Sequence, residues 1–198
     1  MRRGILLSAS LWAILSGASA SAYDLITHAR ITRDAVQKSD FGASGADQLL
    51  DVSQILDCEG TDAVADNHRT AGGWVREGAV REDDYGLGES ASFRFRNHFY
   101  NPLNGQGYSL GLISGIPAPD WGLDDQAIYD QQLYSLRRAH DYYYASLTAS
   151  SPDTRTQQLA LTFCTLGHVM HMIEDMAQPQ HTPLDSHLIP TAEDVASR

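Results

Sequence analysis

Residues 151–181 read SPDTRTQQLALTFCTLGHVMHMIEDMAQPQH, and their spacing decides the fold. Ser151-Pro152 is a helix start: the Ser hydroxyl can accept a backbone N–H, and Pro in the first turn gives up no intrahelical bond. Leu159, Phe163, Leu166, Met170 and Ile173 then recur at helical spacing, and Pro179 is expected to stop the helix. His171 and Asp175 are four apart, so they project from one face, a turn apart. An imidazole and a carboxylate on one rigid element are what a divalent metal needs. Past the proline the chain can fold back and present His181 beside them. A His-x3-Asp pair alone is weak evidence, because most such pairs are surface neighbours. Gln178-Pro179 and His181 behind it make the pattern much more specific. His168 shares the same face and reads as a core or supporting histidine rather than a ligand. Glu174 reads as a solvated helix position.

The helical period extends outward from this stretch. Ile26–Lys38 carries Ile31, Ala35 and Val36, and Ala46–Leu56 carries Leu49, Leu50, Val52, Ile55 and Leu56. Asp124–Thr148 carries Ile128, Leu133, Leu136, Ala139, Tyr143 and Leu147 on one face, with Asp124 as its expected N-cap. No run of period-two strands, internal repeat or low-complexity linker stands out. The expected fold class is therefore all-α, a multi-helix bundle. Val80–Leu123, rich in Gly, Asn and aromatics, does not follow the period and reads as a long functional loop.

Length and charge bound the function classes. A chain of 198 residues, 42% hydrophobic and 9% aromatic, suits one globular domain and excludes a disordered or collagenous one. Its 25 acids against 14 bases give a net charge of −11, which disfavours tight, salt-driven binding to nucleic acid or anionic lipid. Catalysis on a phosphodiester stays open, since bound cations invert the local field.

Arg2-Arg3, the apolar stretch Ile5–Leu15 and the small residues through Ala22 form a signal-peptide pattern too short to span a bilayer comfortably. Cleavage after Ala20 competes with cleavage after Ala22, which would leave Tyr23 as the new N-terminus. Residues 1–22 are thus an expected signal peptide and residues 23–198 the expected helical domain, secreted or periplasmic and soluble. Without the two arginines of the leader the net charge becomes −13. Cys58 and Cys164 leave two readings open, a disulfide or two unrelated buried thiols.

The pattern His171-x3-Asp175-x2-Gln178-Pro179-x-His181 resembles the signature helix of the zinc-dependent phospholipase C superfamily, which includes the single-strand-specific zinc nucleases. Two more segments are similar and in the right order. Thr27-His28-Ala29-Arg30-Ile31-Thr32 resembles the early Thr-His segment of the bacterial phospholipases. Gly78 through Glu82-Asp83-Asp84 to Asn97-His98-Phe99-Tyr100-Asn101-Pro102 resembles their Asp … His-Phe-Tyr-Asp-Pro stretch.

The resemblance implies an all-α bundle that holds three zinc ions in a cleft. One zinc would take Asp83 or Asp84 with His98, His171 and Asp175; the spacing from Gly78 favours Asp83, the distance to His98 favours Asp84. A second would take His28, Asp175 as a bridge, and the amino group and carbonyl of Tyr23, where the family has Trp. The third would take His181 and a later His-x3-Glu or His-x3-Asp pair, which this sequence lacks. Asp185, His187, Glu193 and Asp194 do not fall at that spacing. The third site is therefore expected to be incomplete, through a C-terminally truncated domain or with His187 as a substitute.

The implied activity is that of an exported zinc-dependent phosphodiesterase, phospholipase C-like, in which metal-activated water attacks phosphorus. Asp83 or Asp84 would be the catalytic group that orients or deprotonates that water. The implied partner is a phospholipid or other phosphodiester, with transient contact to a membrane surface and no obligate protein partner. Two alternatives remain: a single-strand-specific nuclease acting on single-stranded nucleic acid, suited by the short step from Tyr23 to His28, and a truncated, inactive zinc-binding domain.

Asn97 or Asn101 could support a metal ligand, or the segment Asn97–Pro102 is an ordinary turn. Tyr129, Tyr134, Tyr142, Tyr143 and Tyr144 could suggest a choline cage, though their helical spacing assigns most of them to packing. Tyr85, Phe93, Phe95, Tyr108 and Trp121 are better placed for a headgroup or base, with core lining favoured. His68 and His140 read as surface residues.

Overall fold

The computed structural model describes residues 24–44, 70–83, 94–110, 112–123, 132–178 and 181–182. The expected signal peptide, Tyr23, the helix expected over Ala46–Leu56, Cys58, His68, Asp84, Tyr85, Phe93, Asp124, Tyr129, Pro179 and His187 lie outside these residues. The described part is mostly helical, as an all-α chain should be. Its elements are α1 (Leu25–Lys38), α2 (Asp40–Ala43), α3 (Ala71–Arg81), a 3-10 turn (Phe95–Asn97), β1 (Ser109–Leu110), β2 (Ile113–Ser114), α4 (Ala118–Leu123), α5 (Leu136–Thr148) and α6 (Pro152–Met176). Among the described residues no helix is long and apolar enough to cross a membrane.

Helix α6 begins where its sequence says: Ser151 is the N-cap, its side chain accepts from the Thr154 N–H, and Pro152 occupies the first turn. It ends at Met176, where the Ala177 N–H reaches back to the Ile173 and Glu174 carbonyls. Helices α3 and α5 lie along α6, and α1 rests on both α3 and α6. Asp24, Ser39, Thr70 and Ser135 cap α1, α2, α3 and α5 through their side chains, satisfying backbone donors a helix start leaves open.

Several sequence expectations give way here. The face α1 buries is His28, Ala29, Thr32 and Val36, not the Ile31–Ala35 side. On α6 the apolar stripe Leu159, Phe163, Leu166 and Met170 is only partly buried, and Ile173 is exposed. The fully enclosed side carries Cys164, Thr165, Gly167, His168, His171 and Asp175. Polar side chains that hydrogen-bond one another occupy the centre of this bundle, so hydrophobicity alone misplaces the core.

No single helix runs from Asp124 to Thr148. Residues 132–135 are non-helical, Ser135 is the cap of α5, and the Gln132 side chain ties the segment down, its Nε2 donating to the Trp121 carbonyl at 2.8 Å. Tyr143 and Leu147 are exposed. The stretch expected to be one long loop holds the end of α3, the 3-10 turn, the small antiparallel β1–β2 hairpin and α4.

Helix α3 escapes the periodicity because Gly72, Gly73 and Gly78 thin out its apolar pattern and weaken its intrinsic propensity. Packing holds it instead. Trp74 is wholly buried in a cluster with Ala71, Ala160, Leu161 and Cys164, and Cys164 is disulfide-bonded. One turn further on, the backbones of α3 and α6 come into direct contact. A Cβ on Gly78 would sit 1.9 Å from the Cys164 carbonyl oxygen, and one on Gly167 2.0 Å from that of Val75. Beyond this crossing a second apolar cluster, Ala118, Trp121 and Met172, packs α4 against α6.

Gly78→Ala and Gly167→Ala should each cost about 1–3 kcal/mol or more, because backbone must move to admit the methyl. Gly73→Ala, whose Cβ would meet nothing nearer than 3.4 Å, should be neutral or stabilise by up to about 1 kcal/mol. Denaturant midpoints of the three variants check the contrast; equal midpoints would mean the crossing is not tight.

Candidate metal centre

Below the α3–α6 crossing four segments deliver imidazoles and carboxylates to one buried point. Helix α1 brings His28, the residue after α3 brings Glu82 and then Asp83, the 3-10 turn ends on His98, and α6 brings His168, His171, Glu174 and Asp175. His28, His98, His171 and Asp175 are almost completely enclosed.

Asp175 sits in the middle. Its Oδ2 lies 2.9 Å from His98 Nδ1, 3.1 Å from His171 Nε2 and 3.4 Å from His181 Nδ1. Its Oδ1 lies 3.5 Å from His28 Nε2 and makes no hydrogen bond. Asp83 faces it across the cluster: Oδ1 is 3.6 Å from both His98 Nδ1 and His171 Nε2, and Oδ2 is 3.9 Å from His28 Nε2. The His28 and His171 rings stack at 4.0 Å, with His98 edge-on to His171 at 4.9 Å. Two sets of ligand atoms converge closely enough to hold a metal ion, His28–Asp83–His171 and His98–His171–Asp175, and His171 belongs to both.

The residues fit a metal on the chemistry of their atoms. A carbonyl only accepts, so His171 donates its Nδ1–H to Ala79 at 2.8 Å, which turns Nε2 toward the carboxylates. A histidine held through one nitrogen with the other aimed at carboxylates has the orientation of a metal ligand. The buried, unbonded Asp175 Oδ1 has the same meaning, because an ionised oxygen enclosed without a partner is costly.

In the protein without metal, protons must balance these carboxylates. Burial pulls the His171 pKa down, but the charges of Asp175 and Asp83 raise it to about 10. Burial likewise pulls on His98, and its bonding to Asp175 and Glu82 raises it to about 9. Burial opposes ionisation of Asp175, yet the charge and hydrogen bond of His171, with His181 and His98, hold its carboxyl well below the usual range.

A second polar knot lies beside the first. The Glu82 carboxylate is buried and takes hydrogen bonds from Arg94, from His168 Nδ1 and from Trp121 Nε1 at 3.2 Å. Burial opposes its ionisation, but the Arg94 guanidinium and His168 hold its pKa well below the usual range. Burial dominates at His168 and lowers it to about 4, so the ring is neutral. Tyr134 stacks on it at 3.9 Å.

The structure thus brings together His28, Asp83, His98, His171, Asp175 and His181 of the residues singled out in the sequence. Asp83 lies 3.6–3.9 Å from His28, His98 and His171, while its alternative Asp84 lies outside the described residues. His181, expected at a separate third ion, lies against Asp175 itself. The Tyr100 N–H donates to its carbonyl at 3.0 Å and Phe99 packs on its ring. His168 supports Glu82 and His140 is exposed, as read.

Asn97 and Asn101 build turns instead of touching a ligand: their Oδ1 atoms accept from the Ile116 and Leu103 N–H groups. Tyr108 and Trp121 line the interior, Tyr134 is taken up by His168, and Tyr143 and Tyr144 are exposed rather than gathered in a cage. Glu174 is not solvated; it is buried and bonded to His28 and Thr32. The helical period did not mark it, since its neighbour Ile173, on the expected apolar stripe, is exposed. Glu82 had no signal beyond standing next to Asp83.

Compared with known proteins, the chain matches no family model, no curated protein and no solved structure.

The shifts fix a pH profile for metal-free protein. His98 and His171, raised above 6.5, stabilise fully below pH 6.5 and lose that contribution as pH climbs through about 9 to 10. His168, lowered from 6.5 to about 4, stabilises above pH 6.5 and loses its contribution on acidification toward pH 4. Stability without metal should therefore peak near pH 6.5, and bound metal, displacing the protons of His98 and His171, should remove the alkaline fall. Denaturation midpoints from pH 5 to 10 with and without chelator test this. A chelated protein that gains stability from pH 7 to 9 would contradict it.

Proposed function

We propose that the chain is an exported zinc-dependent phosphodiesterase of the phospholipase C type. The observation that carries the reading is the buried convergence of three imidazoles and two carboxylates from separate segments. Each of those segments is one whose sequence resembles that superfamily. Zinc suits a set of imidazole and carboxylate ligands. His28, His98, His171, Asp83 and Asp175 would hold it, and His181 closes the set on the Asp175 side. Bound zinc supplies Lewis acidity toward phosphorus oxygens and activates water.

The chain's own groups divide the remaining work. Asp83, at 11% exposure of its side chain, is more open than Asp175 at 1%. It is the carboxylate a water can reach, so it orients that water and takes its proton. Asp175, His98 and His171 form the enclosed floor that keeps the ligands from rearranging.

A lipid suits the surface better than a nucleic acid does. The chain carries a net charge of −11, which repels a polyanion. Residues 99–119 contain no Asp, Glu, Lys or Arg. Their hairpin and the turn before it expose Leu103 at 94%, Leu112 at 105%, and Leu110 and Ile113 at nearly half. The base of this segment is fastened to the centre, since Tyr108 packs on Phe99 and Phe99 on His181. A charge-free apolar projection suits the surface of a neutral lipid aggregate.

Zinc-loaded protein offered phosphatidylcholine vesicles and single-stranded DNA should release phosphocholine from the lipid, lose that activity to a chelator and regain it with zinc. Asp83→Asn should lower turnover by about 10²–10⁴-fold. Leu112→Asp should slow hydrolysis of vesicles and spare a soluble phosphocholine ester. Cleavage of DNA without lipid hydrolysis would favour the nuclease reading, and no turnover on either substrate would contradict the proposal.

A further inference from the structure

Of the two histidines that stack at the centre of the site, His171 is held by a neutral backbone carbonyl and His28 by a charged side chain. The His28 Nδ1 lies 2.7 Å from Glu174 Oε2. The other oxygen of the same carboxylate, Oε1, accepts from the Thr32 hydroxyl at 2.7 Å. All three side chains are buried: His28 and Thr32 share one face of α1, one turn apart, and Glu174 reaches them from α6. A carboxylate can only accept, so it is the imidazole that donates, and the proton sits on Nδ1. The opposite nitrogen, Nε2, then faces Asp175 Oδ1 at 3.5 Å and Asp83 Oδ2 at 3.9 Å. Thr32 holds the carboxylate from its far side and fixes the angle from which it engages the ring.

We propose that Glu174 is a positioning residue: with Thr32 it fixes His28 as the tautomer whose Nε2 is presented to a metal ion, and so sets metal affinity at the His28–Asp83–His171 position. The inference rests on the metal-holding reading of the cluster. Consecutive carboxylates on α6 then divide the labour. Asp175 turns toward the ligand atoms, and Glu174, a hundred degrees round the helix, turns toward α1 and aligns the ligand α1 contributes. An ionised partner also makes the imidazole a stronger donor to metal than a backbone carbonyl does, which strengthens the position that His28 joins.

The test uses the full chain, with zinc affinity read by competition against a chromophoric chelator and cobalt binding read from its visible absorption. Glu174→Ala should weaken one metal equivalent by about 10–100-fold, the usual effect of removing such a partner, and leave the other equivalent unchanged. Glu174→Gln keeps an acceptor without the charge and should lose less. Thr32→Val, which leaves every ligand and Glu174 in place, should weaken the same equivalent by a smaller factor, and it carries the test if Glu174→Ala does not fold. Nitrogen-15 spectra of metal-free wild-type protein should show His28 protonated on Nδ1.

Glu174 variants that bind both equivalents as tightly as wild type would overturn the inference alone. So would variants that lower the melting temperature in chelator while affecting both metal equivalents alike, since that is what a packing role produces. Wild-type protein that binds no metal would overturn the metal reading and this inference with it.

Discussion

The contact between Gly78 and Gly167 is the constraint from which the centre follows. Two helices whose backbones touch cannot slide or rotate past each other without a clash, so their register is fixed to a fraction of a turn. One turn beyond the contact on α6 is His171, and just beyond α3 is Asp83. The crossing therefore sets the distance between the carboxylate that follows α3 and the ligands on α6. It also lets the Ala79 carbonyl reach the His171 ring, which side chains at positions 78 and 167 would prevent. The two apolar clusters, around Trp74 and around Trp121, brace the crossing from its two ends.

A centre of this kind is expensive to fold. Asp83, Asp175, Glu82 and Glu174 are brought together with little water to screen them, and without a counter-charge their repulsion and desolvation would oppose folding. Each has an answer. Arg94 neutralises Glu82 and His168 orients it, Thr32 and His28 occupy Glu174, His98 and His171 surround Asp175, and the same two rings with His28 face Asp83. Asp175 Oδ1 remains without a hydrogen bond. A dication at that point would replace the protons on His98 and His171 and give the oxygen its partner, which is why a metal suits the cluster better than protons alone.

Much of the site was legible in the sequence, and less of the fold. The spacing of His171 and Asp175, with Ser151-Pro152 marking the start of the helix, needed only helical geometry, and α6 begins and orients its side chains accordingly. His28, Asp83 and His98 became legible together with α6 through ordered segments, not through any pattern of their own. Helix α3 was missed because its three glycines, of which Gly78 serves the close approach to α6, erase the period that marks a helix. Ile31, Met170 and Ile173 misled because the rule that apolar faces point inward fails where the interior is a polar cluster. Glu174 misled for the same reason, since a glutamate is taken for a solvent residue unless the interior holds a histidine and a threonine to receive it.

The central claim is that the cluster around Asp175 is a metal centre with His171 Nε2 as a ligand at its middle. Elemental analysis of purified protein after dialysis against zinc, wild type beside His171→Ala, addresses it most directly. The account predicts at least two zinc ions per wild-type chain and the loss in the variant of the one held through His171 Nε2. Wild-type protein that retains none, or a variant that keeps as much zinc as wild type, would contradict it.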